Sequence, residues 1–358
     1  MRIVKPSVSN LEDYVVTQAG AAVKMNQNES PFDLAPELKQ EISARLLQTG
    51  WNRYPDGSAL PLIQSLSRYT GHPEQGILAG NGSNELIQAL INAVCRPGDT
   101  VLVVKPGFSV YSRAAAVMDL NVIEVPMKPD FSYDTEALLQ AAGSCRLIFL
   151  ASPHNPAGCV FPRSKWKTLL EGFNGILAAD EAYFEFHRET VQDLLEKSPR
   201  LIVLRTLSKA LGLAGLRLGY AMGSQELITG VRKARLPFSV GIFQQTAGTA
   251  VLENREGLDE KIKLIIGERE RMLQALKNVP GVRPFPSRAN FILMELTETS
   301  GQSVFEHLYS RGILVRSFGQ PELKNTIRVT IGPPRDNDRF LAVLQDILGE
   351  KNEDRSSF

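Results

Sequence analysis

Apolar positions along this chain fall into short continuous runs separated by segments of helical spacing. The runs predict strands over 100–104, 121–125, 146–151, 175–179, 201–204 and 218–221, with a further short strand starting at Ile77. Between most of these strands, apolar residues return every three or four positions and predict helices over 109–118, 135–142, 163–171 and 225–232. After Gly80 the residues Leu86, Ile87, Leu90, Ile91 and Val94 share one helical face. Two more helices, over 35–49 and 60–69, precede the alternating part. Alternation of this kind predicts an α/β domain whose mostly parallel sheet is covered by helices on both faces.

Past residue 256 the pattern changes. A long helix over 256–277 with few breakers is followed by strands over 289–295, 312–316 and 326–331 and a final helix over 336–348, which predicts a smaller α+β unit. The expected division is 1–49 as an N-terminal arm with part of the small domain, 50–255 as the large domain and 256–358 as the C-terminal small domain. A chain of 358 residues is long enough for two such units.

Forty basic and 39 acidic residues leave a formal charge of +1, so bulk electrostatics offer no case for nucleic acid or an anionic membrane as partner. No apolar run approaches a membrane span. Residues 1–24 carry charges throughout and lack the apolar core of a signal peptide. The expected location is the cytoplasm. Cys95, Cys145 and Cys159 lack metal-ligand spacing, and the four histidines lie far apart, so no metal is expected.

The chemistry concentrates just after the strands. Arg205-Thr-Leu-Ser208-Lys209 places a lysine in an otherwise apolar, glycine-bearing run. Burial lowers a lysine pKa toward the neutral, nucleophilic amine that adds to carbonyl carbon. Arg217, eight residues on, offers a fork of donors suited to phosphate. Gly80-Asn-Gly82-Ser83-Asn84-Glu85 is a glycine loop entering a helix, where free N–H groups favour an anion. It is neither a P-loop nor the dinucleotide fingerprint, whose third glycine is Glu85 here.

Asp180, directly after an apolar strand, would sit partly desolvated and need a cationic partner; the same position also suits a helix N-cap. Asn155, within Ser152-Pro-His-Asn155-Pro, offers an amide beside a turn, and Phe108 an aromatic face. Each of these has an ordinary structural use. Together with Tyr183 they match what pyridoxal 5'-phosphate requires: an amine for its aldehyde, an acid for its ring nitrogen, donors for its hydroxyl and phosphate, and a cover for its face.

Five segments carry a family resemblance: Asn26-Gln-Asn-Glu-Ser-Pro31, Asn52-Arg-Tyr54-Pro, Ala179-Asp-Glu-Ala-Tyr183-Phe-Glu-Phe, Arg205-Thr-Leu-Ser-Lys209-Ala and Ile327-Arg328-Val-Thr-Ile-Gly. By them the chain resembles, over nearly its whole length, the class I/II aminotransferases of pyridoxal-phosphate fold type I, and among these the histidinol-phosphate aminotransferases. The resemblance implies a mostly parallel seven-stranded sheet between helices plus a smaller α+β domain. It implies Lys209, Asp180 and Tyr183 as the catalytic set. Cofactor contacts would come from Ser83, Asn84, Phe108, Asn155, Asp180, Tyr183, Ser208, Lys209 and Arg217. Tyr54 matches a tyrosine that reaches the phosphate of the neighbouring subunit, which implies a homodimer with a shared site. Arg328 matches the arginine for the amino-acid carboxylate; Arg316, with Arg328 and Tyr14, would hold a substrate phosphate, with Asn155 close by.

The implied reaction is amino transfer between L-histidinol phosphate and 2-oxoglutarate, a step of histidine biosynthesis. The same scaffold serves aromatic amino-acid aminotransferases and threonine-phosphate decarboxylases, and these stay open as alternatives. The departures bear on that choice. Phe108 stands where tyrosine is common, Lys105-Pro-Gly-Phe108 replaces Pro-Pro-Thr-Tyr, and Pro-Gly-Phe is similar to the decarboxylases. A pyridoxal-binding transcriptional regulator would need an added DNA-binding segment, and none is seen.

Overall fold

The structure is a computed structural model that describes residues 3–13 and 20–356, with side chains through residue 349. Its first strand, β1 (Val23–Lys24), belongs with the C-terminal part of the chain. Seven strands then build the large sheet: β2 (Ile77–Asn81), β3 (Thr100–Lys105), β4 (Asn121–Pro126), β5 (Leu147–Ala151), β6 (Ile176–Asp180), β7 (Leu201–Thr206) and β8 (Leu218–Gly223). Their order is β2-β8-β7-β6-β5-β3-β4. β8 runs antiparallel to both its neighbours, and every other pairing is parallel.

The near-continuous apolar runs have the cause expected of them. Side chains alternate across a strand, and here both faces are covered. In β5, Ile148 and Leu150 enter one core cluster while Leu147 and Phe149 enter a second. In β7, Leu201 and Val203 face the first and Ile202 and Leu204 the second. A strand buried on both faces has no polar alternation to show. The helices Gly82–Val94 and Gln225–Ala234 contribute Leu86, Ile87, Leu90, Ile91, Ile228 and Val231 to the second cluster.

The later strands are β9 (Val282–Pro284), β10 (Phe291–Leu296), β11 (Ile313–Leu314), β12 (Arg316–Ser317) and β13 (Thr326–Thr330). Four of them form an antiparallel sheet in the order β12-β13-β10-β9. β11 instead pairs in parallel with β1, Val23 opposite Ile313. The strand expected over 312–316 is therefore two short strands in two different sheets, separated at Val315. The helices Leu258–Lys277 and Pro334–Ser356 match the long segments read from periodicity, the second running further at its C-terminal end.

Among the described helices of eight or more residues, two escaped the pattern. Ile242–Glu253 buries six successive residues, Ala247 to Leu252, so it carries no polar stripe to reveal its period. Gly301–Ser310 buries only Gly301, Val304 and Leu308. Its start was legible in principle, because the Ser300 hydroxyl accepts from the Ser303 N–H as an N-cap. No described helix is long and apolar enough to cross a membrane.

Candidate active site

The parallel strands β3, β5, β6 and β7 end at one side of the large sheet, and the residues that follow them line a cavity of about 520 Å³. Such carboxyl-terminal edges are where α/β sheets present loops to ligands. Ser83, Asn84, Phe108, Asn155, Asp180, Tyr183, Ser208, Lys209, Arg217, Arg316 and Arg328 all line it. Tyr54 does not. It is 82% exposed and stacks on Phe238 at 4.7 Å between ring centroids. Tyr14 lies outside the described residues.

At one end, the chain leaves β2 and enters the helix Gly82–Val94 with Gly82 at φ +75°, a conformation that side-chain-bearing residues resist. A Cβ at Gly82 would lie 2.7 Å from Arg217 Nη2. Glycine there lets the guanidinium approach the helix N-terminus. Arg217 Nη1 donates to the Ser208 hydroxyl at 3.4 Å and to the Ala214 carbonyl at 3.3 Å. Helix N–H groups, a hydroxyl and a guanidinium thus converge, which is the donor set for a phosphate.

In the middle stands Lys209. Its Nζ donates to the Gln27 carbonyl at 2.8 Å. Burial, with the cations of Arg328, Arg217 and Lys24, lowers its pKa to about 8, against the pull of Glu29. Asp180 is 4% exposed at the end of β6. Its Oδ2 accepts from the Tyr111 hydroxyl at 2.5 Å and its Oδ1 from the Ala182 N–H at 3.0 Å. Burial raises its pKa, while those two hydrogen bonds lower it. Nearby His154 does not line the cavity, and burial pushes its pKa down to about 3. Lys209 is thus an amine of lowered pKa that lines the cavity together with the Asp180 carboxyl.

Opposite the phosphate cradle, Arg328 Nη2 donates to the Asn26 carbonyl at 2.8 Å and Nη1 donates to Asn155 Oδ1. With its oxygen engaged, Asn155 has its amide donors left for the cavity. Tyr183 accepts from Asn28 Nδ2 at 2.9 Å. Arg316 lines the same end beside Phe318.

A model of the family "Aminotransferase class I and II" matches residues 21–344. The chain belongs to the class I and II aminotransferases. This aminotransferase is 37% identical over 354 residues to the histidinol-phosphate aminotransferase of Chlorobium phaeovibrioides, covering 98% of each chain. It is 35% identical over 347 residues to that of Thermococcus gammatolerans, covering 97% of this chain and 98% of the other. Its fold matches the crystal structure of histidinol-phosphate aminotransferase from Sinorhizobium meliloti in complex with pyridoxal-5'-phosphate, at a TM-score of 0.89 and 26% identity, covering 98% of both chains.

In this aminotransferase the candidate site residues are also contacted by residues that pattern reading did not single out for a role. Tyr111 grips Asp180, the Gln27 carbonyl accepts from Lys209, and Asn28 holds Tyr183. Asn26 and Asn28, both buried, lie in the polar arm motif, whose polarity within a buried segment was the available signal.

Proposed function

We propose that this aminotransferase transfers the amino group of L-histidinol phosphate to 2-oxoglutarate, giving imidazole acetol phosphate and L-glutamate, with pyridoxal 5'-phosphate as cofactor. The observation that carries the reading is the cavity itself. A low-pKa lysine stands between a phosphate cradle and a second cationic end formed by Arg316 and Arg328.

The residues fit the cofactor. Ser83, Asn84, Ser208 and Arg217 would hold its phosphate, Asp180 its ring nitrogen, Asn155 and Tyr183 its ring hydroxyl, and Phe108 would cover its face. When bound, pyridoxal phosphate supplies an electrophilic aldehyde and a protonated ring that takes up the electron pair released at the substrate Cα. Lys209, whose pKa lowered to about 8 makes its neutral amine accessible near physiological pH, is placed to remove and return the proton at that carbon. Asp180 as a buried carboxylate holds a proton at the ring nitrogen. Arg328 binds the carboxylate of glutamate or 2-oxoglutarate, and through its bond to Asn155 Oδ1 it fixes that amide. Arg316 supplies a second cation, which a donor bearing a phosphate needs and an aromatic amino acid does not; this favours the phosphorylated donor.

The reading includes a cytoplasmic homodimer. Supporting it, the segments around Trp51–Gly57 and Leu236–Phe243 expose Trp51, Tyr54, Leu236, Phe238 and Phe243 together. They are joined where Gln245 donates to the Asp56 carbonyl at 2.9 Å. Tyr54 would reach the partner's phosphate cradle from there. The division into a large unit, 50–255, and a small one, 256–358 with the arm 1–49, is part of the same proposal.

The test is steady-state formation of glutamate from 2-oxoglutarate with each of three donors. Histidinol phosphate should support it and phenylalanine far less. Carbon dioxide release from threonine phosphate, without glutamate formation, would replace the reading with a decarboxylase.

A further inference from the structure

Tyr111 lies one helical turn past Phe108, on the helix Val110–Val117 that follows β3. It is 4% exposed. Its ring stacks on Phe149 of β5 with centroids 4.7 Å apart and planes 3° from parallel, and it meets Phe108 edge-on at 5.4 Å. Those two contacts fix the ring, and the fixed ring aims its hydroxyl at Asp180 Oδ2, 2.5 Å away. One side chain thus braces the aromatic that would cover a cofactor and holds the acid that would meet its ring nitrogen.

We propose that Tyr111 is a positioning residue of the amino-transfer reaction, donating to Asp180 so that the carboxylate stays a weak base and a proton shared with the cofactor ring remains on the ring nitrogen. The proposal rests on the cofactor reading above. Its physical basis is local. A hydrogen bond to a carboxylate stabilises the charged form. Burial works against that form at Asp180, as does the neighbouring Glu181 carboxylate, and the Ala182 N–H adds a second stabilising donor. The other titratable groups around this pair are Tyr133, whose phenol burial pushes well above its ordinary pKa, and Tyr183. Lys209 lines the same cavity. Without the Tyr111 hydroxyl, Asp180 becomes the stronger base and draws the shared proton from the ring.

Tyr111→Phe removes the hydroxyl and keeps the ring in its stack. The midpoint of the Asp180 carboxyl is read by carbon-13 NMR of the full chain with labelled aspartate, its signal assigned with Asp180→Asn. In the chain without cofactor this midpoint should rise by about one pH unit in Tyr111→Phe, in line with a hydrogen bond to a charged group. With ring-labelled pyridoxal phosphate bound, the ring nitrogen-15 signal should move toward that of an unprotonated pyridine. In steady state, kcat should fall about tenfold with KM for the donor within about twofold, because the loss lies in the transition state. 3-Fluorotyrosine at position 111, a stronger donor, should move the Asp180 midpoint down instead. An Asp180 midpoint unchanged in both variants overturns the proposal. Failure of the wild-type chain to take up pyridoxal phosphate would overturn the functional reading, and the midpoint in the cofactor-free chain would still decide the role of Tyr111.

Discussion

Arg316 and Arg328 stand directly opposite each other in the antiparallel pair of β12 and β13, and both line the cavity. Like charges directly across a ladder repel, so this pairing disfavours the empty site and favours an anion between the two side chains. On the proposed function the two arginines have separable duties. Arg316→Gln should cut kcat/KM for histidinol phosphate about 100-fold while leaving the half-reaction with glutamate within about twofold. Arg328→Ala should lower both half-reactions by about 100-fold or more, because on the proposed function both co-substrates use it. Half-reaction kinetics with each partner check this; an equal loss with both partners in Arg316→Gln would remove its special tie to the phosphate.

Lys209→Ala should fold and still take up pyridoxal phosphate through the cradle of Ser208, Arg217 and the helix N-terminus. Turnover should fall by at least about 10³-fold, the scale of a lost general base that also anchors the cofactor. Dialysis followed by cofactor quantitation, with a glutamate assay, separates the two effects. Near-normal turnover in this variant would end the assignment.

The depressed pKa of Lys209 has a direct pH signature. In the cofactor-free chain its reductive methylation should follow a midpoint of about 8, whereas ordinary lysines titrate near 10.5. The sign of the linked stability follows. Between about 8 and 10.5 the unfolded chain holds a proton that the folded chain has lost, so this residue makes stability rise with pH through that window. Arg328→Ala removes one of the cations that depress the pKa, and the methylation midpoint should move up. Peptide-resolved mass spectrometry across a pH series reads both effects.

Beneath the site, Arg205 and Glu181 form a buried pair in which each is 2% exposed. Arg205 reaches Glu181 Oε2 through Nε at 3.0 Å and Nη2 at 2.8 Å. Glu181 also accepts from the Thr190 hydroxyl and the Val191 N–H. Arg205→Met leaves that carboxylate without its cation and should cost about 3–5 kcal/mol. Thermal or denaturant unfolding measures it. A loss under about 1 kcal/mol would mean that the remaining donors suffice.

The chemistry at the strand ends was legible from sequence because each residue follows an apolar run that fixes its place. Lys209 after β7, Asp180 at the end of β6 and Asn155 after β5 needed only strand positions to be brought together. The parallel part of the large sheet was legible for the same reason. Tyr111 was not, since an aromatic one turn after Phe108 reads as ordinary core, and only the fold brings it to a carboxylate 69 positions away. The hydrogen bond from Asn28 to Tyr183 spans 155 positions and is equally silent in sequence. The reversal of β8 was hidden too. A strand buried on both faces looks the same in either direction.

The central claim is amino transfer from a phosphorylated donor at Lys209. Its most direct test is the absorption spectrum of the cofactor-loaded protein during single-turnover mixing with histidinol phosphate, and separately with phenylalanine and threonine phosphate. The account predicts rapid conversion from the pyridoxal to the pyridoxamine form with histidinol phosphate and slow conversion with phenylalanine. Conversion by phenylalanine alone, or no cofactor band even after pyridoxal phosphate is added, would contradict it.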